Sequence, residues 1–467
     1  MPRVTSVTIL GGGPGGYEAA LVARQLGAAV TLVDRDGIGG SAVLTDCVPS
    51  KALISTANAI TAASSSADLG VRINGQAPEA GLIGVSLAEV NARILRLARA
   101  QSDDISARLD REGVVVLPGT GRLAADGSVM VAGPGGVESS LVADAVLIAT
   151  GARPRVLEAA VPDGQRILTW EQVYALPNVP ERLIVVGSGV TGAEFAGAYH
   201  ALGANVVLIS SRAHVLPSED PDAAAVLEDV YGRRGLEVLS RSRAVSARNT
   251  GTGVEVELSD GTVVVGSHVL LAVGSLPNTD SLGLAEAGIE TDERGFIKVD
   301  RVSRTSRRGV YAAGDCTGVL MLASVAAMQG RIAMWHALGD AVTPLELTTV
   351  SSTVFTDPEI ATVGLTQADL ADGAFRGDVV TVPLASNARA KMEGHTDGFV
   401  KLFCRRGSRI VAGAVIVSAH ASELIHPLTI AVEQRLTVDQ LASTFTVYPS
   451  LSGSIAEAAR RLHIAAE

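Results

Sequence analysis

Cysteine is scarce in this chain: 467 residues contain three, at positions 47, 316 and 404. That number excludes the disulfide framework on which small secreted domains depend. Long apolar runs are missing too. Mean hydropathy is positive, yet no uncharged apolar stretch reaches the ~18 residues that a membrane-spanning helix requires. The opening MPRVTSVTILGGGPGG runs straight into a strand and a glycine loop, without the separate charged and apolar regions of a signal peptide. Like charges nowhere form a block, and the net charge is −11. An acidic surface disfavours nucleic acid and anionic membranes, whose phosphates need clustered Lys and Arg. None of the eight histidines pairs at metal-ligand spacing, so no metal is expected. These absences leave a cytoplasmic protein with no transmembrane segment as the expectation.

Glycine is abundant, 50 residues without a collagen-like period, which points to tight turns and close backbone approach to ligands. Hydrophobic residues are 47%, enough for a sizeable core, and the length suggests about three domains. Near the N-terminus VTSVTIL reads as a strand, Gly11-Gly12-Gly13-Pro14-Gly15-Gly16 as a turn and YEAALVARQLG as a helix. The next strand, AAVTLVD, ends at Asp34. Here G-x-G-x-x-G stands in the context that a dinucleotide site demands, with a carboxylate about 20 residues on. The glycines let a pyrophosphate reach the helix N-terminus, whose N–H groups and dipole favour negative charge. Asp34 would accept hydrogen bonds from ribose hydroxyls.

The pattern then recurs. ERLIVVG, Gly187-Ser188-Gly189-Val190-Thr191-Gly192, AEFAGAYHALG and ANVVLIS repeat strand, turn, helix and strand. Where the first copy has Asp34 the second has Ser210, followed by Arg212 and His214. A carboxylate repels a ribose 2′-phosphate and an arginine accommodates one, so NADPH is expected, alone or beside NADH. Two dinucleotide sites imply that one dinucleotide reduces the other, most economically a nicotinamide reducing a flavin. LIATGARP (147–154) reads as a buried strand ending in a glycine turn, and GVYAAGDC (309–316) as another ending at Gly314-Asp315. That carboxylate could bond a ribityl hydroxyl of FAD. The first unit is then discontinuous, with the second inserted in it.

Together these residues resemble the pyridine nucleotide–disulfide oxidoreductase family, in its lipoamide dehydrogenase branch. The match spans nearly the whole chain. It includes GGGPGG, the frame Cys47-Val48-Pro49-Ser50-Lys51, ATG at 149–151, GSGVTGAEFA at 187–196 and YAAGD at 311–315. VFTDPEIATVGLT (354–366), GFVKL (398–402) and ASELI (421–425) extend it toward the C-terminus. The resemblance implies an α/β fold of two Rossmann-like dinucleotide-binding domains, for FAD and NAD(P), plus a C-terminal α+β dimerisation domain. The implied boundaries are 1–152 with 276–345 for FAD, 153–275 for NAD(P) and 346–467 for the interface. It also implies FAD contacts at Gly11, Gly13, Pro14, Gly15, Gly16, Asp34, Arg35, Gly40, Ser41, Cys47, Lys51 and Thr120. Ala149, Thr150, Gly151, Gly314, Asp315, Leu322 and Ala323 complete that set. The nicotinamide side falls to Gly187, Gly189, Val190, Thr191, Gly192, Glu194, Ser210, Arg212 and Gly274.

Family members that reduce disulfides carry C-x-x-x-x-C, together with a His-Glu pair from the partner subunit in a frame like H-P-T-x-x-E. Cys47 matches the second cysteine, but the first position is Ala42. The histidine and glutamate positions are Tyr448 and Gly453, within Tyr448-Pro449-Ser450-Leu451-Ser452-Gly453. Smaller departures are Ser275, where an arginine is usual, and Ser324, where a histidine is common. Dithiol interchange needs both an attacking and a resolving thiol. It also needs a base near neutral pKa, for which a tyrosine at about 10 is a poor substitute. Disulfide reduction is therefore not expected.

The sequence is similar to actinobacterial lipoamide dehydrogenase homologues that have lost the disulfide chemistry and reduce quinones. A quinone is planar and electrophilic and takes a hydride equivalent with no thiol relay. The expected activity is thus FAD-dependent NAD(P)H:quinone oxidoreduction by a homodimer whose active site the partner's C-terminal domain completes. By resemblance, Lys51 and Glu194 form an ion pair beside the flavin N5, and Tyr448 lines the acceptor side from the other subunit. Cys47 would contact the flavin as a spectator thiol, with Cys316 and Cys404 structural. Three rival readings are a soluble NADH/NADPH transhydrogenase, a Cys47 sulfenic acid in peroxide reduction, and a non-catalytic flavin redox sensor.

Overall fold

The computed structural model describes residues 4–78 and 83–464. The chain divides into two units. Met1–Ala52, Asn91–Arg155 and Gly274–Glu346 form the first; Leu53–Val90, Val156–Val273 and Leu347–Glu467 form the second.

In the first unit, short apolar strands form a five-stranded parallel sheet covered on both faces, as parallel sheets require. The order is Val310–Ala312, Ala145–Ile148, Ser6–Leu10, Ala29–Asp34 and Val115–Pro118. Chain order runs outward in both directions from Ser6–Leu10, so a ligand crevice opens beyond the C-terminal ends of the central strands. Three motifs leave the sheet at that edge: the loop Gly11–Gly16, the turn Ala149-Thr150-Gly151, and Gly314-Asp315. Helix Pro14–Gln25 covers one face through the buried run Ala19 to Ala23. An antiparallel meander of Thr120–Leu123, Val129–Ala132 and Glu138–Leu141 contributes Leu123, Val129 and Val131 to a second core, with Leu10, Val33, Val146 and Ile148.

The chain leaves this unit along Ala152–Pro154 and returns along Ser275–Pro277, and the two segments pair antiparallel with Ala152 opposite Pro277. Asn278 fastens the crossing. Its Nδ2 donates to the Thr150 carbonyl at 3.0 Å, and Thr150 Oγ1 donates to the Asn278 carbonyl at 2.8 Å.

The second unit repeats the plan. Its parallel sheet runs Glu237–Leu239, Asn205–Ile209, Arg182–Val186, His268–Leu271 and Ile167–Thr169. Arg182 lies opposite Asn205 as Ser6 lies opposite Ala29, an offset of 23 in each copy (205 − 182 and 29 − 6). The intervening helices, Pro14–Gln25 and Val190–Ala201, are both 12 residues long. The same unit holds an antiparallel sheet in the order Ser351–Val354, Glu359–Gly364, Val411–Ser418, Phe399–Arg405 and Gly377–Pro383. Helices His426–Glu433 and Gly453–Ile464 pack on it through Leu428, Ala431, Ile455, Ala458, Ala459 and Leu462. Among the described residues, no helix is long and apolar enough to cross a membrane.

One charge lies deep in this second unit. Lys401, in the otherwise apolar strand Phe399–Arg405, is 1% exposed. Its Nζ donates to both carboxylate oxygens of Asp220 at 2.8 Å and to Asp222 at 2.6 Å. Asp220 also caps helix Pro221–Arg234, accepting from the amides of Asp222 and Ala223. Removing one partner of a buried pair strands the other charge, at about 3–5 kcal/mol. Asp220→Ala leaves the buried ammonium with the exposed Asp222 as its one carboxylate partner and removes the cap, whereas Lys401→Met leaves Asp220 with two amide donors. Thermal melts should therefore rank Asp220→Ala as the more destabilised variant. The reverse order would show that the cap and pair are not shared in this way.

Candidate active site

The site in the first unit begins with backbone contact. Gly11 has φ +104°, and a Cβ there would strike the carbonyl of Ala149; a Cβ on Gly16 would strike the carbonyl of Gly11. Glycine at both positions lets loop, helix and neighbouring strand end meet without side chains between them. Helix Pro14–Gln25 starts at Gly13 with no side-chain cap and Pro14 in its first turn. Pro14 has no N–H and Gly16 N donates to the Gly13 carbonyl at 2.9 Å, so the N–H of Gly15 and the helix dipole are what this end offers an anion. Gly15 approaches helix Ala323–Ala337: a Cβ there would lie 3.2 Å from the Ala326 carbonyl. Leu322 caps the start of that second helix and Ala323 opens it.

Asp34, at the end of its strand, organises the surrounding turns. One carboxylate oxygen accepts from Gly12 N at 2.6 Å, and the other from Asp36 N at 2.9 Å and Gly37 N at 2.6 Å. With about four lone-pair sites on a carboxylate, roughly one remains for a ligand hydroxyl. Gly39 N donates to the Gly12 carbonyl at 2.8 Å, and a Cβ on Gly40 would press on Gly13. Gly119 N donates to the Asp34 carbonyl at 2.9 Å, which brings Thr120 to the same strand end. Ser41 is exposed on helix Gly40–Leu44, and Arg35 is exposed in an ion pair with Asp36.

Across the crevice, Gly314 N donates to Gln329 Oε1 at 2.8 Å, and Thr317 Oγ1 donates to the Gly314 carbonyl at 2.7 Å. These bonds hold the turn that carries Asp315. Burial, and then the charge of Asp46, pushes the Asp315 carboxyl up to about 6. Among the described residues no donor reaches this carboxylate. A half-buried acceptor without donors suits a ribityl hydroxyl, and the glycine cradle suits a pyrophosphate, so the residues present fit FAD.

Cys47 and Lys51 lie one turn apart at the start of helix Cys47–Ser65, on one face of it. Cys47 is half-buried, and Ala42 sits on the preceding helix Gly40–Leu44. Among the described residues no cysteine is in a disulfide. Cys316 is buried with its thiol against the carbonyls of Ile148 and Ala313, and burial pushes it up to about 11. Cys404 is buried as well, and its thiol is also raised by burial.

In the second unit the glycine contacts are repeated. A Cβ on Gly187 would strike the Ala272 carbonyl and one on Gly192 the Gly187 carbonyl. Gly189 precedes helix Val190–Ala201, which again lacks a side-chain cap; Val190 and Thr191 form its first turn. Gly274 has φ +95° just beyond strand His268–Leu271. Glu194 is 3% exposed on the helix, and its Oε1 accepts from Phe355 N at 2.9 Å. Ser210 is buried, its hydroxyl 2.7 Å from Ser188 Oγ and accepting from Arg212 N at 3.1 Å. Its role here is to shape the loop that presents Arg212. The loop is secured further by Glu228, which accepts from Val215 N at 2.7 Å and lies 3.2 Å from His214 Nδ1.

Sequence reasoning missed Arg241. Strand Glu237–Leu239 pairs with Asn205–Ile209, so the two loops beyond them run side by side. Arg241 N donates to the Arg212 carbonyl at 2.8 Å. Both side chains are exposed, and among the described residues neither forms an ion pair. A short strand of three residues was the only signal that could have found it.

Tyr448 is 85% exposed, between helices Val438–Ser443 and Gly453–Ile464, beside the equally exposed Phe445 and Val447. Gly453 opens the second of these helices.

Two glycine cradles at the switch points of two parallel sheets define a flavoprotein that exchanges hydride between dinucleotides. Comparison with known proteins agrees. Residues 5–330 match the pyridine nucleotide-disulphide oxidoreductase family, and 350–459 match that family's dimerisation domain. The chain belongs to this family and is an oxidoreductase working with FAD and NAD(P)H. It is 52% identical to the NAD(P)H dehydrogenase (quinone) of Mycobacterium tuberculosis, over 98% of this chain and 94% of that one. It is 34% identical to dihydrolipoyl dehydrogenase 2 of Haloarcula marismortui, over 97% and 96% of the two chains. Among solved structures, LpdA from Mycobacterium tuberculosis superimposes with a TM-score of 0.94 at 51% identity, over 98% of this chain and 100% of that one. The flavoprotein disulfide reductase RclA from Escherichia coli shares the fold, with a TM-score of 0.85 at 22% identity, over 97% and 99%.

The Asp315 environment sets a pH dependence. Hydroxyl donors favour the carboxylate and lower its pKa on binding. Flavin affinity is therefore full above pH ~6 and falls as pH drops through ~6, by at most about tenfold per unit. Flavin release on dilution, followed by fluorescence, should rise below that point in the parent protein. Asp315→Asn should release flavin about tenfold more readily at pH ~8, with little further change on acidification. A flat profile in the parent would contradict this assignment.

Proposed function

We propose that the chain is a cytoplasmic, homodimeric NAD(P)H:quinone oxidoreductase, the activity for which its relative from Mycobacterium tuberculosis is named. Residues 1–152 with 276–345 would carry the flavin, 153–275 the nicotinamide and 346–467 the dimer interface. The observation that carries the reading is the missing thiol relay. Cys47 has an alanine at its partner position, and the other two thiols are buried with their ionisation suppressed. FAD, when bound, accepts a hydride equivalent from NAD(P)H and yields two electrons to the quinone.

The protein's part is to bind, orient and neutralise. The glycine loops and helix N-termini take the pyrophosphates, while Asp34 and Asp315 take ribose and ribityl hydroxyls. Lys51 supplies a fixed positive charge that favours reduced, anionic flavin, and Glu194 fixes the nicotinamide side. Tyr448, contributed to the other subunit's site, offers a ring to stack on a quinone and a hydroxyl to donate to it. Arg212 and Arg241 together receive a ribose 2′-phosphate.

Two outcomes test this. Steady-state assays should show turnover with a soluble quinone and none with lipoamide, and Cys47→Ser should keep quinone turnover within about threefold, because a spectator thiol adds packing alone. A loss of two orders of magnitude in Cys47→Ser, or lipoamide turnover, overturns the reading. Separately, Arg212→Ala and Arg241→Ala should each raise KM for NADPH about tenfold, with KM for NADH unmoved. Equal effects on both nicotinamides would remove the arginines from phosphate recognition.

A further inference from the structure

Within its own subunit, among the described residues, few contacts hold the loop that carries Tyr448. Phe445 and Val447 are 103% and 77% exposed and Tyr448 85%, so no buried side chain anchors its tip. Within the loop, Ser450 Oγ donates to the Val447 carbonyl at 2.6 Å and Gly453 N donates to Ser450 Oγ at 3.2 Å. These bonds shape the turn without placing it. Among the described residues, two hydrogen bonds tie residues 445–454 to a distant part of the chain, and both come from Asn387. Its Nδ2 donates to the Ser450 carbonyl at 3.0 Å and to Ser454 Oγ at 2.9 Å.

Asn387 is itself rigidly held. Its Oδ1 caps helix Ala388–Glu393, accepting from Arg389 N at 2.8 Å and Ala390 N at 3.1 Å, and its own N–H donates to the Leu384 carbonyl. The side-chain amide thus uses two acceptor sites and two donors, which is its full capacity. One end fastens it to a helix start and the other to the loop.

The geometry points to Asn387 as the positioning residue for Tyr448 in the transfer of electrons to quinone. This rests on the reading of Tyr448 given above. The chemistry of the amide separates its two duties. Asp and Ser both serve as helix caps as Asn does. Asp has no donor and sets an acceptor against the Ser450 carbonyl, while Ser keeps an O–H but ends one bond short of the Nδ2 position that reaches this carbonyl at 3.0 Å. Asn387→Asp and Asn387→Ser therefore keep the cap and lose the bond to the Ser450 carbonyl, the Ser454 hydroxyl being able to reverse and donate to Asp but not to the shorter Ser.

The test is rapid mixing of the FAD-loaded full-length protein in two steps, reduction by NADPH and then reoxidation by a water-soluble benzoquinone. Asn387→Asp and Asn387→Ser should leave NADPH reduction within about twofold and slow benzoquinone reoxidation by about one to two orders of magnitude. Tyr448→Ala should slow the same step, and combining it with Asn387→Asp should add little further. If Tyr448→Ala slows reoxidation but the Asn387 variants do not, the positioning role is overturned and Tyr448 stands. If Tyr448→Ala leaves reoxidation unchanged, the reading of Tyr448 fails and takes this inference with it. If the Asn387 variants slow both steps equally and lower the melting temperature, Asn387 is structural only and the inference is overturned.

Discussion

Backbone against backbone at the sheet edge is the contact on which the remaining architecture depends. Gly11 presses on the carbonyl of Ala149 and Gly16 on that of Gly11, and Gly187, Ala272 and Gly192 repeat the arrangement in the second unit. A single methyl group at any of these glycines has no room. The approach brings the start of a helix onto the ends of two adjacent parallel strands, where uncapped N–H groups favour an anion. The motifs at 149–151 and 314–315 acquire their function from this geometry, since both leave the sheet at the same edge.

The chemistry available at that edge is set by the ionisation of nearby groups. Burial raises the pKa of Asp315, and among the described residues no donor reaches its carboxylate, an environment that suits a ligand hydroxyl. The thiols are arranged in the opposite sense. Burial suppresses ionisation at Cys316 and Cys404, and exchange runs through thiolates. What survives is a pair of dinucleotide sites and an exposed tyrosine on a tethered loop. That combination can deliver two electrons to an acceptor that reaches them without covalent help.

Much of this was legible in the sequence because glycine spacing and strand periodicity are local. The two strand–turn–helix copies share the offset of 23 in their strand registers, and the chain crosses between the units along paired segments around 153 and 276. What escaped was tertiary. Lys401 sits in a stretch that reads as a plain apolar strand, and its partner lies 181 residues away. Arg241 gains its place from a strand of three residues whose neighbour only the sheet reveals. Asn387 and Ser450 are 63 positions apart, and nothing in SNARAK or YPSLSG announces their bond. Counting sets Ser210 opposite Asp34, but its burial beneath the loop follows from Ser188, a contact no spacing displays.

Under the proposed function, electrons pass from nicotinamide to acceptor with flavin as the sole redox station. An anaerobic titration of the purified, FAD-loaded protein with NADPH tests it most directly. A flavin alone takes up two electrons, whereas a flavin coupled to a redox-active disulfide takes up four. The expected result is complete bleaching of the oxidised flavin band by one equivalent of NADPH per flavin. Consumption of a second equivalent before bleaching is complete would reveal a disulfide station and contradict it.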